Sequence, residues 1–119
     1  EVPMTVLLVL NDPPYGTERD YNGLRLALQL AKQDGVTVRV FLMADAVACA
    51  RSGQTTPNGY YNVERMLRGV LTRGGEIAAC GTCMDARGLV DADLLAGTAR
   101  GSMEQLGRWV MEADRVVSF

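Results

Sequence analysis

What most constrains the fold of this chain is the alternation of short, nearly continuous apolar runs with longer amphipathic segments. Met4–Leu10 is apolar almost throughout and is ended by Asn11-Asp12-Pro13-Pro14, which predicts a buried strand. Val36–Met43, rich in β-branched residues, predicts a second strand, Glu76–Cys80 a third, and Asp114–Phe119, centred on Val116 and Val117, a fourth. Between the first two, Tyr21, Leu24, Ala27, Leu28 and Ala31 share one helical face opposite Arg25, Gln29 and Lys32, and Gly35 supplies the stop. Val63, Met66, Leu67, Val70 and Leu71 repeat the helical spacing before Gly74-Gly75, and Ser102–Ala113 predicts a last helix. Thr17 with Asp20, and Ser102 with Gln105, are expected capping boxes. Asp45–Ala50 and Asp91–Ala96 are short helical stretches, Arg51–Tyr61 is an aperiodic loop, and Gly81–Gly88 a turn-rich connection. Strands that are apolar on both sides and separated by helices imply right-handed βαβ units. The expected fold is therefore an α/β sandwich, a mainly parallel sheet covered on both faces. A length of 119 residues fits one domain, 1–119, without repeat, low-complexity tract or linker. Glu1-Val2-Pro3 is read as an appended segment ahead of Met4.

Composition narrows the chemistry. The chain has no histidine, which excludes a Ser-His-Asp triad, a Cys-His pair, an imidazole base and any zinc site built on its own histidines. Its net charge is −2, and its basic residues are scattered singly, so no nucleic-acid partner is expected. No apolar run reaches membrane-spanning length; the longest, Val36–Ala50, contains Arg39 and Asp45. No signal-peptide pattern precedes Leu10, and the cysteine count of 3 is odd. Both suit a reducing compartment, and a cytoplasmic protein without a membrane partner is expected. The first βα turn lacks GxGxxG, so no dinucleotide cofactor is expected.

In open α/β sheets ligands bind beyond the carboxyl ends of the strands, where the loops Asn11–Thr17, Met43–Asp45 and Cys80–Gly88 should meet. Cys80-Gly81-Thr82-Cys83 falls at the end of the third strand, where unpaired backbone N–H groups favour thiolate over thiol. Arg87 adds positive charge four residues beyond Cys83. A loop of Gly, Thr, Asp and Arg is a poor place to bury two thiols, so a reactive cysteine is the reading preferred over a packing role. Asn11, Tyr15 and Asp45 on the neighbouring loops are expected to line the pocket, with turn-stabilising and capping roles as their alternatives. Asp85 and Arg87 are expected to pair with each other and fix the loop. A metal site is disfavoured because one CxxC supplies two ligands, leaving Cys49, Asp45 or Asp85 to complete the set. Cys49 fits a core filler, Trp109 core or interface, Met66 and Met103 helical apolar faces, and Tyr60 and Tyr61 a subunit contact. CGTC also fits a dithiol oxidoreductase or redox sensor, and a non-catalytic binding module stays open.

The order of elements and the cysteine loop together resemble the DsrE/DsrF-like sulfur-relay family, in its YchN-like branch of small homo-oligomers. The resemblance runs over nearly the whole chain. It is carried by Pro14-Tyr15-Gly16 with Leu24-Arg25-Leu26-Ala27, by Phe41-Leu42-Met43 with Asp45-Ala46-Val47, and by Gly59-Tyr60 with Asn62. Cys80-x-Thr82-Cys83-x-Asp85-x-Arg87-Gly88 and the ending Ala113-Asp114-Arg115-Val116-Val117 with Phe119 complete it. It implies a three-layer α/β/α sandwich with a five-stranded sheet, the extra strand falling near Gly97–Arg100. It also implies a homo-trimer or homo-hexamer, no cofactor, and sulfur donor and acceptor proteins as partners. Cys80 then corresponds to the cysteine that carries sulfane sulfur as a persulfide, and Cys83 to a possible resolving thiol.

Overall fold

The computed structural model describes residues 2–119. Five strands, β1 (Met4–Leu10), β2 (Val36–Leu42), β3 (Glu76–Cys80), β4 (Thr98–Gly101) and β5 (Arg115–Ser118), form one sheet in the order β4-β3-β2-β1-β5. Every pairing is parallel. The helices are α1 (Arg19–Ala31), α2 (Val63–Thr72), the short α3 (Gly81–Asp85) and α4 (Met103–Glu112), with 3-10 turns at Ala44–Ala50 and Asp91–Asp93. This is the expected α/β/α sandwich with the fifth strand at Thr98–Gly101, one residue beyond the expected start.

Strand parity assigns the two faces. Phe41 on β2 meets Trp109 of α4 edge-on, with centroids 6.0 Å apart, and Arg39 bonds Glu112 at 2.6 Å while its guanidinium covers the Trp109 ring. Odd-numbered residues of β2 therefore face α4, and Val38, Val40 and Leu42 face the opposite layer. That layer is α1 against α2, seated closely because α1 presents Gly23 to the sheet. A Cβ on Gly23 would stand 2.8 Å from Leu10 Cδ2 and 3.0 Å from Phe119 Cδ1. The register places Phe41 beside Ala78, so Cys80 shares the α4 face with Ala78 and Phe41.

One local expectation is corrected. The Thr17–Asp20 capping box does not form: Glu18 is the residue before the helix, in the left-handed region at φ 65, with no side-chain cap. Asp20 instead turns into the core, where its Oδ2 accepts from the Cys49 thiol at 3.2 Å. Cys49 is fully buried, as expected of a core residue, though it has this polar partner. Ser102 does cap α4, its Oγ accepting from the Gln105 N–H at 3.1 Å.

Tyr60 and Tyr61 stack within the chain, at 4.6 Å between centroids, and Tyr61 stacks on Tyr21 at 4.2 Å. No helix among the described residues is long and apolar enough to cross a membrane.

Candidate functional site

The chain leaves the buried strand β3 at Cys80 and turns at once into α3, so Cys80 is the residue before a helix start. Its Sγ accepts from the backbone N–H of Cys83 at 3.3 Å, and the Thr82 hydroxyl lies 3.3 Å from the sulfur. Burial raises the Cys80 thiol's pKa, but the Cys83 and Thr82 side chains and their backbone N–H groups together outweigh it. The result lies below the ordinary cysteine value. Cys83 shifts the other way: burial and its bond to the Cys80 sulfur raise it, against a smaller opposing effect of the Ala44 N–H and Arg87. The pair is thus a thiol that ionises more readily than an ordinary cysteine beside one that ionises less readily.

Cys83 is held from two sides. Its Sγ accepts from the Ala44 N–H at 3.3 Å, and Ala44 sits at φ 50, a left-handed conformation that costs a non-glycine residue about 1–2 kcal/mol. Arg87 donates to the Cys83 carbonyl at 3.0 Å and to Asp45 Oδ1 at 2.9 Å. The expected Asp85–Arg87 pair is therefore absent. Residues two apart at a helix end project in different directions, and each finds a partner from another element. Asp85 bonds Arg100 Nη2 at 2.8 Å, and Arg100 Nη1 lies 3.8 Å from Asp91.

Cys80 opens into a cavity of about 320 Å³. Phe41, Met43 and Met103 form its apolar walls, while Thr82, Arg100 and Ser102 supply polar groups. Asn11, Tyr15, Asp45, Asp85 and Arg87 are not among its lining residues. Asn11 donates from Nδ2 to the Phe119 carbonyl at 3.1 Å, tying β1 to the end of β5. Tyr15 donates to Gln54 Oε1 at 2.6 Å and accepts from the Val63 N–H at 3.1 Å, holding the start of α2. The structure thus brings Cys80 and Cys83 together, braces Cys83 with Asp45 and Arg87, and places Asn11 and Tyr15 in scaffold contacts.

Phe41, Arg100, Gly101, Ser102 and Met103 line the cavity but were not singled out for the site by sequence reasoning. The signal for Arg100 is Gly81: a Cβ there would stand 2.8 Å from Arg100 Nε, so glycine leaves the guanidinium room against the start of α3. Among the described residues no three His, Cys, Asp or Glu side chains cluster as metal ligands would.

The model of the DsrE/DsrF-like family matches residues 4–119. Protein YchN of Escherichia coli K12 is 36% identical over 115 residues, covering 96% of this chain and 97% of that protein. The crystal structure of the E. coli ychN protein superposes with a TM-score of 0.91, covering 98% of this chain and 99% of that one. A sulfurtransferase TusD homolog of Vibrio cholerae is 27% identical over 133 aligned positions, 98% of each chain. The chain belongs to the DsrE/DsrF-like family.

Proposed function

We propose that this chain, as a member of the DsrE/DsrF-like family, is a sulfur-relay protein that carries sulfane sulfur as a persulfide on Cys80 and hands it to a partner protein. The observation that carries the reading is the paired thiol: Cys80 Sγ receives the Cys83 N–H at 3.3 Å and faces an open cavity. The likeness to a sulfurtransferase TusD homolog supports the same class of chemistry.

Each step balances without an imidazole. The Cys80 thiolate attacks the terminal sulfur of a donor persulfide R–S–SH, forming the Cys80 S–S bond as the donor's S–S bond breaks. The products are Cys80–S–SH and the donor thiolate, which takes the electron pair. Delivery is the same exchange in reverse, with an acceptor thiolate attacking the outer sulfur of Cys80–S–SH. With its pKa raised, Cys83 is the poorer competitor for that persulfide until it ionises. Once it does, attack on the inner sulfur gives a Cys80–Cys83 disulfide and HS⁻. Asp45 and Arg87 act on Cys83, through its carbonyl and its surrounding charge.

The same paired thiols support a dithiol oxidoreductase as a second reading. It requires a Cys80–Cys83 disulfide that turns over with a thiol reductant. Assembly into a homo-trimer or homo-hexamer belongs to the proposal. Met103, Val110 and Met111 of α4 and Val116 of β5 are exposed apolar side chains that subunit contacts would cover.

The test is to load the protein with a sulfane-sulfur donor and weigh it intact and as peptides. One added sulfur is expected on the Cys80 peptide of the parent and none in Cys80→Ser. Equal uptake by both ends the carrier reading, and a disulfide with reductant turnover but no persulfide selects the second.

A further inference from the structure

Arg100 supplies the cationic side chain of the cavity into which Cys80 opens. Ala79 is in register with Arg100 and Cys80 with Gly101, so the two strands end together; Arg100 leaves β4 on the face opposite Cys80, and its guanidinium reaches the cavity at the strand ends, beside Gly81. Gly81 then leaves the guanidinium room beside the thiol loop, since a Cβ there would stand 2.8 Å from Nε. One donor, Nη2, bonds Asp85 at 2.8 Å. Nη1 lies 3.8 Å from Asp91 Oδ1, a second carboxylate within ion-pair range; beyond Nη2 the N–H groups of Arg100 make no hydrogen bond among the described residues, and the side chain is 38% exposed. Across the cavity stand Phe41, Met43 and Met103.

An apolar slot with a nucleophile on one wall and a cation with free donors on another selects a small molecule with a sulfur end, a short carbon stem and an anionic end. A volume of about 320 Å³ is at the small end of ligand sites. A guanidinium fork matches a carboxylate in two parallel hydrogen bonds, a geometry an ammonium does not offer. Until a ligand arrives, Asp85 occupies part of that fork. Binding therefore exchanges one carboxylate for another, and Arg100 keeps a carboxylate partner throughout.

We propose that the sulfur donor is a low-molecular-weight persulfide bearing a carboxylate. Arg100 binds that carboxylate and thereby sets the terminal sulfur against Cys80. The inference rests on the carrier reading of Cys80 and adds to it the class of donor and the residue that selects it. The exchange is Cys80–S⁻ + R–S–SH giving Cys80–S–SH + R–S⁻, with R carrying the carboxylate; nothing is oxidised or reduced overall.

The experiment compares the persulfides of 3-mercaptopropionate and 2-mercaptoethanol, one anionic and one neutral, as donors to the full chain. Mass spectrometry follows sulfur on the Cys80 peptide. The parent is expected to load from the anionic donor about tenfold faster, the scale of one charge-assisted hydrogen bond. In Arg100→Gln that ratio falls to near one. Asp85→Asn, which keeps Arg100 and removes the hydrogen-bonded one of its two carboxylate neighbours, raises the ratio. A merely structural Arg100 would slow both donors alike and leave the ratio standing. Equal rates in the parent, or a preference that survives in Arg100→Gln, overturns the inference and spares the carrier reading. So does loading from a persulfidated protein when neither small donor works. If inorganic polysulfide and every other donor fail at Cys80, the carrier reading goes as well.

Discussion

Asp20 offers the sharpest test of the packing energetics. It lies in the core at 1% exposure, with Oδ2 bonded to the Cys49 thiol at 3.2 Å and Oδ1 buried without a partner. Burial is the main reason its carboxyl is pushed up from 3.8 to about 6, and the bonds from Cys49 and the Asp12 backbone offset only part of that. Because the folded-state value lies above the unfolded one, the native state holds the extra proton between the two. Stability from protonated Asp20 is therefore full below about pH 4 and is lost as the pH rises through about 6. At about 1.4 kcal/mol per pH unit the whole interval is worth about 3 kcal/mol, of which about 2 kcal/mol falls between about pH 4 and about pH 7.5. Asp20→Asn keeps the shape of the side chain and is neutral throughout. Urea unfolding of parent and variant at those two pH values should show the variant gaining about 2 kcal/mol on the parent as the pH rises. The new amide shifts both values of the variant together, so only the change with pH is diagnostic. Parallel stability–pH profiles, or a variant that gains on the parent as the pH falls, would refute the reasoning.

Other substitutions probe the thiol loop. Cys83→Ala removes the side chain that bonds the Cys80 sulfur and leaves the backbone N–H in place, so the pH midpoint for iodoacetamide alkylation of Cys80 should move upward; an unmoved midpoint would assign the lowered pKa to the other donors alone. Gly81→Ala should lift Arg100 away from the cavity and cost less than about 1 kcal/mol in urea unfolding, the scale of an exposed ion pair. The guanidinium is the free end of a flexible side chain, so a loss of several kcal/mol would mean that the backbone takes the strain instead.

Apolar periodicity made β1, β2 and β3 legible because the inner strands of a parallel sheet are buried on both faces and so carry unbroken apolar runs. The edge strand β4 carries no such signal. Its four residues, Thr98 to Gly101, are at best half-buried and one of them is Arg100, so only resemblance to a family pointed to it. The failed capping box at Asp20 has a different cause. Whether an acidic side chain turns back to the helix start or inward to a thiol depends on Cys49, twenty-nine positions away, and no local pattern reports that. Asp85 and Arg87 show the same cause: close in sequence, each pairs with a residue from another element, Arg87 with Asp45 and Asp85 with Arg100.

The site itself divides along the same line. Cys80 was legible because strand end, glycine and helix start are consecutive, and that succession alone puts donors around the sulfur. Its surroundings were not, because they are set by sheet register. Phe41 and Ala78 are partners in the ladder, so Cys80 emerges on the α4 side, with Arg100 delivered by the neighbouring strand. A slip of one residue in β3 would turn the thiol toward the α1–α2 layer, away from the apolar cavity walls Phe41 and Met103. The placement of Cys80, 6% exposed at the cavity wall, is therefore a property of three aligned strand ends rather than of the CxxC motif. This also explains how a chain without histidine can position a thiolate. The Cys83 and Thr82 side chains, together with backbone N–H groups at the strand-to-helix turn, stabilise the charge, and the register aims it.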